Sequence, residues 1–229
     1  MPNLPAGPSA DTREMYLIHT VFRREFGLLA DVVRGVADGD RERAQLVADH
    51  IELICSMVHH HHHTEDLYLW PRLLERGAEE IAPIVHVMEG QHEEIEKGYL
   101  EVRTMAGVWR DSATAEDRES LVEGVDRLVP VLDEHLSLEE QRILPLVEKY
   151  VTAAEWGQMA AAAGAGMTPE EVPLMLGMVM YEGDPELIAL TLSQLPPGVG
   201  AVMEEVAPQA FAAHSQRIYG TATPPRVNA

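Results

Sequence analysis

The chain has 229 residues, 46% of them hydrophobic, enough to bury one sizeable core with a smaller appendage. Only 5% are aromatic and long stretches are rich in Glu, Ala, Leu and Arg, which disfavours strands and predicts an all-α protein. A formal charge of -21, with 17 basic against 38 acidic residues, argues against a nucleic-acid or anionic-membrane partner.

Residues 1–10 hold three prolines and a glycine and read as a disordered or loosely tied arm. Helix A is predicted from about Asp11 to Ala37, stopping at Asp38-Gly39-Asp40. Helix B follows from about Arg41 to Arg76, with Pro71 ending or kinking its last turn and Gly77 at its exit. Helix C covers roughly Ile81 to Arg110. Helix D, capped by Ser112 or Thr114, runs to about Tyr150 with Pro130 as an expected kink. Four long helices with short connections are expected to pack as an up-down-up-down four-helix bundle over residues 11–150. A C-terminal helical extension is expected over 151–220, packed on that bundle. Its starts are the capping box Thr152 to Glu155, Thr168-Pro169-Glu170-Glu171 and Asp184-Pro185-Glu186, and Pro196-Pro197-Gly198 precedes the last helix. Residues 221–229 read as a frayed tail. The single cysteine, Cys55, excludes an intrachain disulfide, and no signal segment or 18-residue uncharged apolar run appears, so the expected location is cytoplasmic.

One constellation occurs twice. His19 is followed by His61 and Glu65 and then by Asp66 to Pro71; His92 is followed by His135 and Glu139 and then by Glu140 to Pro145. On a bundle seam, where buried positions recur at alternating three- and four-residue steps, helix A reads Met15, His19, Phe22, Phe26, Leu29, Val33 and Val36. Helix B reads Val47, Ile51, Ile54, Val58, His61, Glu65 and Tyr68. Helix C gives Val85, Met88, His92, Ile95, Tyr99 and Val102, and helix D gives Leu121, Val125, Leu128, Leu132, His135, Glu139 and Arg142. All six repeated polar residues fall on the seam. Burying four imidazoles and two carboxylates is costly unless they are paired or bind a cation. His and Glu at i and i+4 share a helix face, and a donor set of nitrogen and oxygen without thiolate suits iron, manganese or zinc. Two-fold repetition suits two ions.

The run His59 to His63 allows three i, i+4 pairings: His59 with His63, His61 with Glu65, and His62 with Asp66. Aligned with Glu134 to Glu139, the repeat selects His61 and leaves its neighbours facing solvent or outside the ligand set. His50 lies on the order of 16 Å along the helix from His61, too far to share its metal. His86 and His214 are read as ordinary histidines, Cys55 as a small buried hydrophobe, and Met175, Met178 and Met180 as core.

The pattern His, His-x-x-x-Glu, His, His-x-x-x-Glu resembles the hemerythrin-like, cation-binding HHE family, in particular its bacterial members with a C-terminal helical extension. The similarity rests on His19 with Arg23-Arg24-Glu25, His61 to Asp66 ending in Leu69-Trp70-Pro71, Met88 to His92, and His135 to Pro145, with Glu155-Trp156 as a further cue. It implies a di-iron centre, oxo- or hydroxo-bridged, with His19, His61, Glu65, His92, His135 and Glu139 as ligands; manganese or zinc are the other metals in view. Tyr68 is an additional candidate ligand. Oxygen-carrying members have a further His four residues before the lone His of helix C, where this chain has Met88, matched in the repeat by Met15. They also use an Asp five residues after the last His, where this chain has Glu139 at i+4.

Six ligands leave more open positions than the carriers have. The expected function is therefore handling of small oxidants (hydrogen peroxide, dioxygen or nitric oxide), with catalase-like peroxide disproportionation or another oxidoreductase activity as the enzymatic form. The alternative is a non-catalytic iron- or dioxygen-binding or sensing protein. Nothing in the sequence sets the oligomeric state.

Overall fold

The computed structural model describes residues 6–164, 167–168 and 171–227, and of Ala78 only the backbone. Among these the chain is all-helical, and its one extended pairing is an isolated antiparallel bridge between Ser9 and Thr152. The helices are α1 (Arg13–Arg34), α2 (Arg41–Thr64), a π-helical turn (Glu65–Leu69), α3 (Trp70–Ser112), α4 (Ala115–Arg142) and α5 (Leu144–Tyr150). They continue with α6 (Ala153–Gly164), α7 (Glu171–Glu182), α8 (Pro185–Gln194) and α9 (Val199–Tyr219). No helix among the described residues is long and apolar enough to cross a membrane.

Local chemistry sets the boundaries. Asp40 caps α2 by accepting from Arg43 N, after Gly39 turns the chain at φ +80°. Thr114 caps α4 by accepting from Asp117 N, while Ser112 donates to the Asp117 carboxylate. The Thr152–Glu155 box is reciprocal, with Glu155 Oε2 3.0 Å from Thr152 N and Thr152 Oγ1 3.3 Å from Glu155 N. Asp184 caps α8 through Glu186 N and Leu187 N. Glu171 accepts from Thr168 N, as a helix start there requires; Pro169 and Glu170 lie outside the described residues.

Breaks fall near the expected prolines and glycine. Gly77 leaves helical geometry (φ -146°, ψ 38°) and separates the Trp70 turn from the rest of α3. Helix D is interrupted at Ile143, ahead of Leu144-Pro145, whereas Pro130 lies within α4. Two expectations are corrected. The arm is tied from Pro8 onward, because Pro8 O accepts from Ala153 N and Ala10 N donates to Val151 O; residues 1–5 lie outside the described ones. The tail is likewise held through Val227: Tyr181 donates to Pro224 O, Val227 N donates to Glu182, and Arg226 covers the Tyr181 ring. Backbone hydrogen bonding to residues distant in sequence has no local signature, so composition misread both ends. Residues 228–229 lie outside the described ones.

The described residues of Met1–Thr12 and Phe26–Ala165 form one compact unit, and those of Arg13–Glu25 and Gly166–Ala229 a second. In the first, α3 packs on both α2 and α4. Its core is built from Val47, Ile51, Ile54 and Val58, from Val85, Met88, Ile95 and Val102, and from Leu121, Val125, Leu128 and Leu132, all buried at the expected seam positions. Cys55 is buried there too, and burial pushes its thiol up to about 12.

In the second unit α7 and α9 cross so closely that a Cβ on Gly177 would lie 2.1 Å from Ala207 O; only glycine fits. Arg24 is wholly buried in this unit. It donates to Glu25 (2.8 Å), Glu182 (2.7 Å) and Met178 O (3.2 Å), and its guanidinium stacks over Phe211 and Tyr181. Tyr219 completes the set by donating to the second Glu25 oxygen at 2.5 Å.

Candidate metal centre

The centre is assembled where α2 passes into the π turn and meets α3 and α4. His62, Glu65, His92 and His135 each offer a ligand atom within 4.8 Å of the others, and all four are buried. His61 and Glu139 offer a second pair of ligand atoms within the same limit. The two carboxylates lie between these groups. Glu65 Oε1 is 3.3 Å from His61 Nε2 while its Oε2 is 3.5 Å from His92 Nε2, and Glu139 Oε2 is 3.8 Å from His135 Nε2.

A π turn at this point has a physical cause. Pro71 cannot donate a backbone N–H and its ring would collide with the carbonyl four residues back, so the chain widens just before it. Trp70 N donates five residues back to Glu65 O, and one residue is added to the turn. Consequently Leu69, not Tyr68, takes the next core position. Tyr68 is 39% exposed with Arg72 over its ring.

The π turn also brings Asp66 toward α3. His92 Nδ1 lies 2.8 Å from Asp66 Oδ1, and Trp70 Nε1 donates to the same oxygen at 2.8 Å. Since a carboxylate oxygen only accepts, the proton sits on Nδ1 and the Nε2 lone pair is left for the centre. Burial works against ionising Asp66, but the bonds from His92 and Trp70 outweigh it and hold its carboxyl below the ordinary range. His135 is oriented in the same way, its Nδ1 3.2 Å from Gln91 Oε1.

Glu65 shows what the site lacks on its own. It is 1% exposed and neither oxygen has a hydrogen-bond donor of good geometry; His92 Nε2 is buried without one as well. Burial first, and then the charge and contact of Glu139, push the Glu65 carboxyl well above its ordinary range. Two adjacent buried carboxylates ringed by imidazoles are the arrangement a cation would neutralise, and a nitrogen and oxygen donor set without thiolate suits a first-row transition metal.

Of the residues singled out in the sequence, Glu65, His92 and His135 come together with each other, and His61 with Glu139. His19 lies on α1 and is wholly buried; that part of α1 belongs to the second unit. Met88, one turn before His92, is fully buried, and Met15 is buried on α1. His62 was expected to face solvent or lie outside the ligand set, yet it is 5% exposed and stacks on His92 with ring centroids 4.1 Å apart. Matching the halves hid it, because its counterpart is the apolar Leu136. The three-residue step from His62 to Glu65 is the signal that points to it. Gln91, which orients His135, carried no repeat signal either, and Asp66, although it stands opposite Glu140 in the repeat, was not read as the partner of His92.

No curated protein and no solved structure matches this chain. Compared with known families, residues 11–147 match the hemerythrin HHE cation binding domain. That match spans more than half of the chain and contains every donor described above, so the protein belongs to the hemerythrin HHE cation-binding family.

Proposed function

We propose that this protein holds two iron ions and uses them on small oxidants: hydrogen peroxide, dioxygen or nitric oxide. The observation that carries the reading is the pair of carboxylates, Glu65 and Glu139, each facing imidazoles of both donor groups. His62, His92 and His135 would hold one ion with Glu65, and His61 the other with Glu139. His19 is added as a ligand of the second ion on its burial and its place in the repeat. In this reading residues 11–150 are the up-down-up-down bundle and 151–220 the appended segment.

Iron bound there would supply redox-active Lewis-acid chemistry to a small ligand. The chain's own groups position it: Asp66 and Gln91 keep Nε2 of His92 and His135 directed inward, and the carboxylates balance charge through the cycle. Met88 contributes by absence of a donor, since a histidine one turn before His92 would fill a coordination position that the thioether leaves open.

Metal content per chain and the absorption spectrum of aerobically purified protein test the metal. Two irons with near-ultraviolet charge-transfer bands are expected; zinc alone would end the redox reading. Added peroxide should then yield dioxygen over many turnovers, and Glu65→Ala or Glu139→Ala should abolish it. Consumption that stops near one equivalent per centre would instead favour a binding or sensing role.

A further inference from the structure

An open pocket of about 710 Å³ lies against the centre, and two residues, His62 and His92, belong to both. Its other walls carry His59, His63 and His86 with Asp66, Glu89, Glu93 and Glu96, and none of its lining residues is Lys or Arg. Apart from Asp66, which orients His92, these outer groups have no part in the candidate centre.

We propose that this pocket is a loading vestibule, in which His59, His63 and the carboxylates of Glu89, Glu93 and Glu96 capture a divalent transition-metal cation and pass it to His62 and His92. This rests on the metal reading above and adds the route by which the ion arrives.

The hydrogen bonding prepares the outer donors. Tyr99 donates its O–H to Glu96 at 3.2 Å, so its oxygen must accept from His59 Nδ1 at 2.7 Å. The His59 proton is thereby placed on Nδ1 and the Nε2 lone pair is left available. Burial and the neighbouring Glu96 keep the Tyr99 phenol protonated, which maintains this direction. His59 and His63, one turn apart, stack with their rings nearly parallel, 5.9 Å between centroids, so both can serve one passing ion. At the inner end the buried His92 Nε2 has no hydrogen-bond donor or acceptor of good geometry, and its ring is fixed by Asp66, which also lines the pocket.

Charge and donor type give the vestibule its selectivity. A concave surface carrying carboxylates and no fixed positive charge concentrates cations and repels anions. Imidazoles among the carboxylates favour first-row transition ions over calcium or magnesium, which take oxygen ligands.

The test uses full-length apo protein and cobalt(II) chloride, with uptake followed by stopped-flow absorbance in the visible and final cobalt measured per chain. Glu89→Gln/Glu93→Gln/Glu96→Gln should load at least about tenfold more slowly at low ionic strength and lose most of the salt dependence of the wild type, with unchanged final cobalt. His59→Ala/His63→Ala should slow loading in the same way. Gly90→Phe should obstruct the pocket; a Cβ at Gly90 meets nothing within 4 Å, so this variant keeps the test open if the triple variant misfolds. Wild-type rate and salt dependence in the folded variants would overturn the vestibule while leaving the metal reading intact. Failure of wild-type protein to take up cobalt would sink both.

Discussion

The two compact units each bury a polar cluster, and they balance its charge differently. In the second unit Arg24 sits between Glu25 and Glu182, Tyr219 donates to the remaining Glu25 oxygen, and aromatic rings cover the guanidinium. In the first, Glu65 and Glu139 face imidazoles and each other, and Glu65 accepts no well-formed hydrogen bond. One cluster carries its own cation; the other gathers carboxylates and imidazoles that could hold one from outside. Burial of charge is thus ambiguous by itself, and the identity of the counter-charge separates scaffold from site.

The largest expected effect follows from removing the metal. Loaded protein at a thousandfold excess over its dissociation constant should be stabilised by about 4 kcal/mol, so chelation should lower Tm by many degrees. Hydrogen exchange should rise in α2, α3 and α4 and hardly at all in α7 and α9. Equal loss of protection in both units, or no change in Tm, would break the contrast.

Arg24→Ala should come next, at about 3–5 kcal/mol, because it strands two buried carboxylates. Denaturant unfolding should give the same penalty with and without metal. A penalty confined to the loaded form would mean that the Arg24 cluster serves the centre.

Glu65→Gln should act with opposite signs in the two states. In apo protein it replaces a carboxyl that burial and Glu139 keep from ionising, and should stabilise by about 1 kcal/mol, whereas in the presence of metal it should destabilise relative to wild type by losing affinity. Destabilisation in both states would show that the pair is satisfied without a cation.

The smallest effect concerns Glu155, an ordinary ion pair that needs no metal. The hydrogen bonds from Arg76 hold its carboxyl down at about 2, with Thr152 adding to them. A depressed carboxyl contributes stability above its unfolded value of about 4.5, and that contribution fades as pH falls through about 2. Glu155→Gln should therefore cost about 1 kcal/mol at pH 7 and nothing measurable below pH 2, by thermal melts across that range. A pH-independent difference would assign the loss to packing.

Much of this was legible in the residues. Seam spacing located the core of α2, α3 and α4 through Val58, His92 and His135, and cap chemistry at Thr114, Thr152 and Asp184 marked helix starts. What escaped was non-local or asymmetric. The ties of Pro8 and Val227 depend on distant partners, and His62 has no twin in the second half. The seam also failed beyond Glu65, where Tyr68 turned outward, because a regular heptad count cannot anticipate an inserted residue.

That inserted residue has a consequence for how the protein can change. The π turn acts as a phase shifter between α2 and the segment that runs to the break at Gly77: residues from Asp66 to Arg76 are read one residue late. Deleting a single residue between 66 and 69 would cancel the delay and rotate the segment from Trp70 to Arg76 by about 100° against the ligands of α2. Tyr68 would swing toward the core, Leu69 outward, and Trp70 away from the carboxylate that orients His92. Point substitutions in this turn are local events, whereas changes of length there retune the centre as a whole.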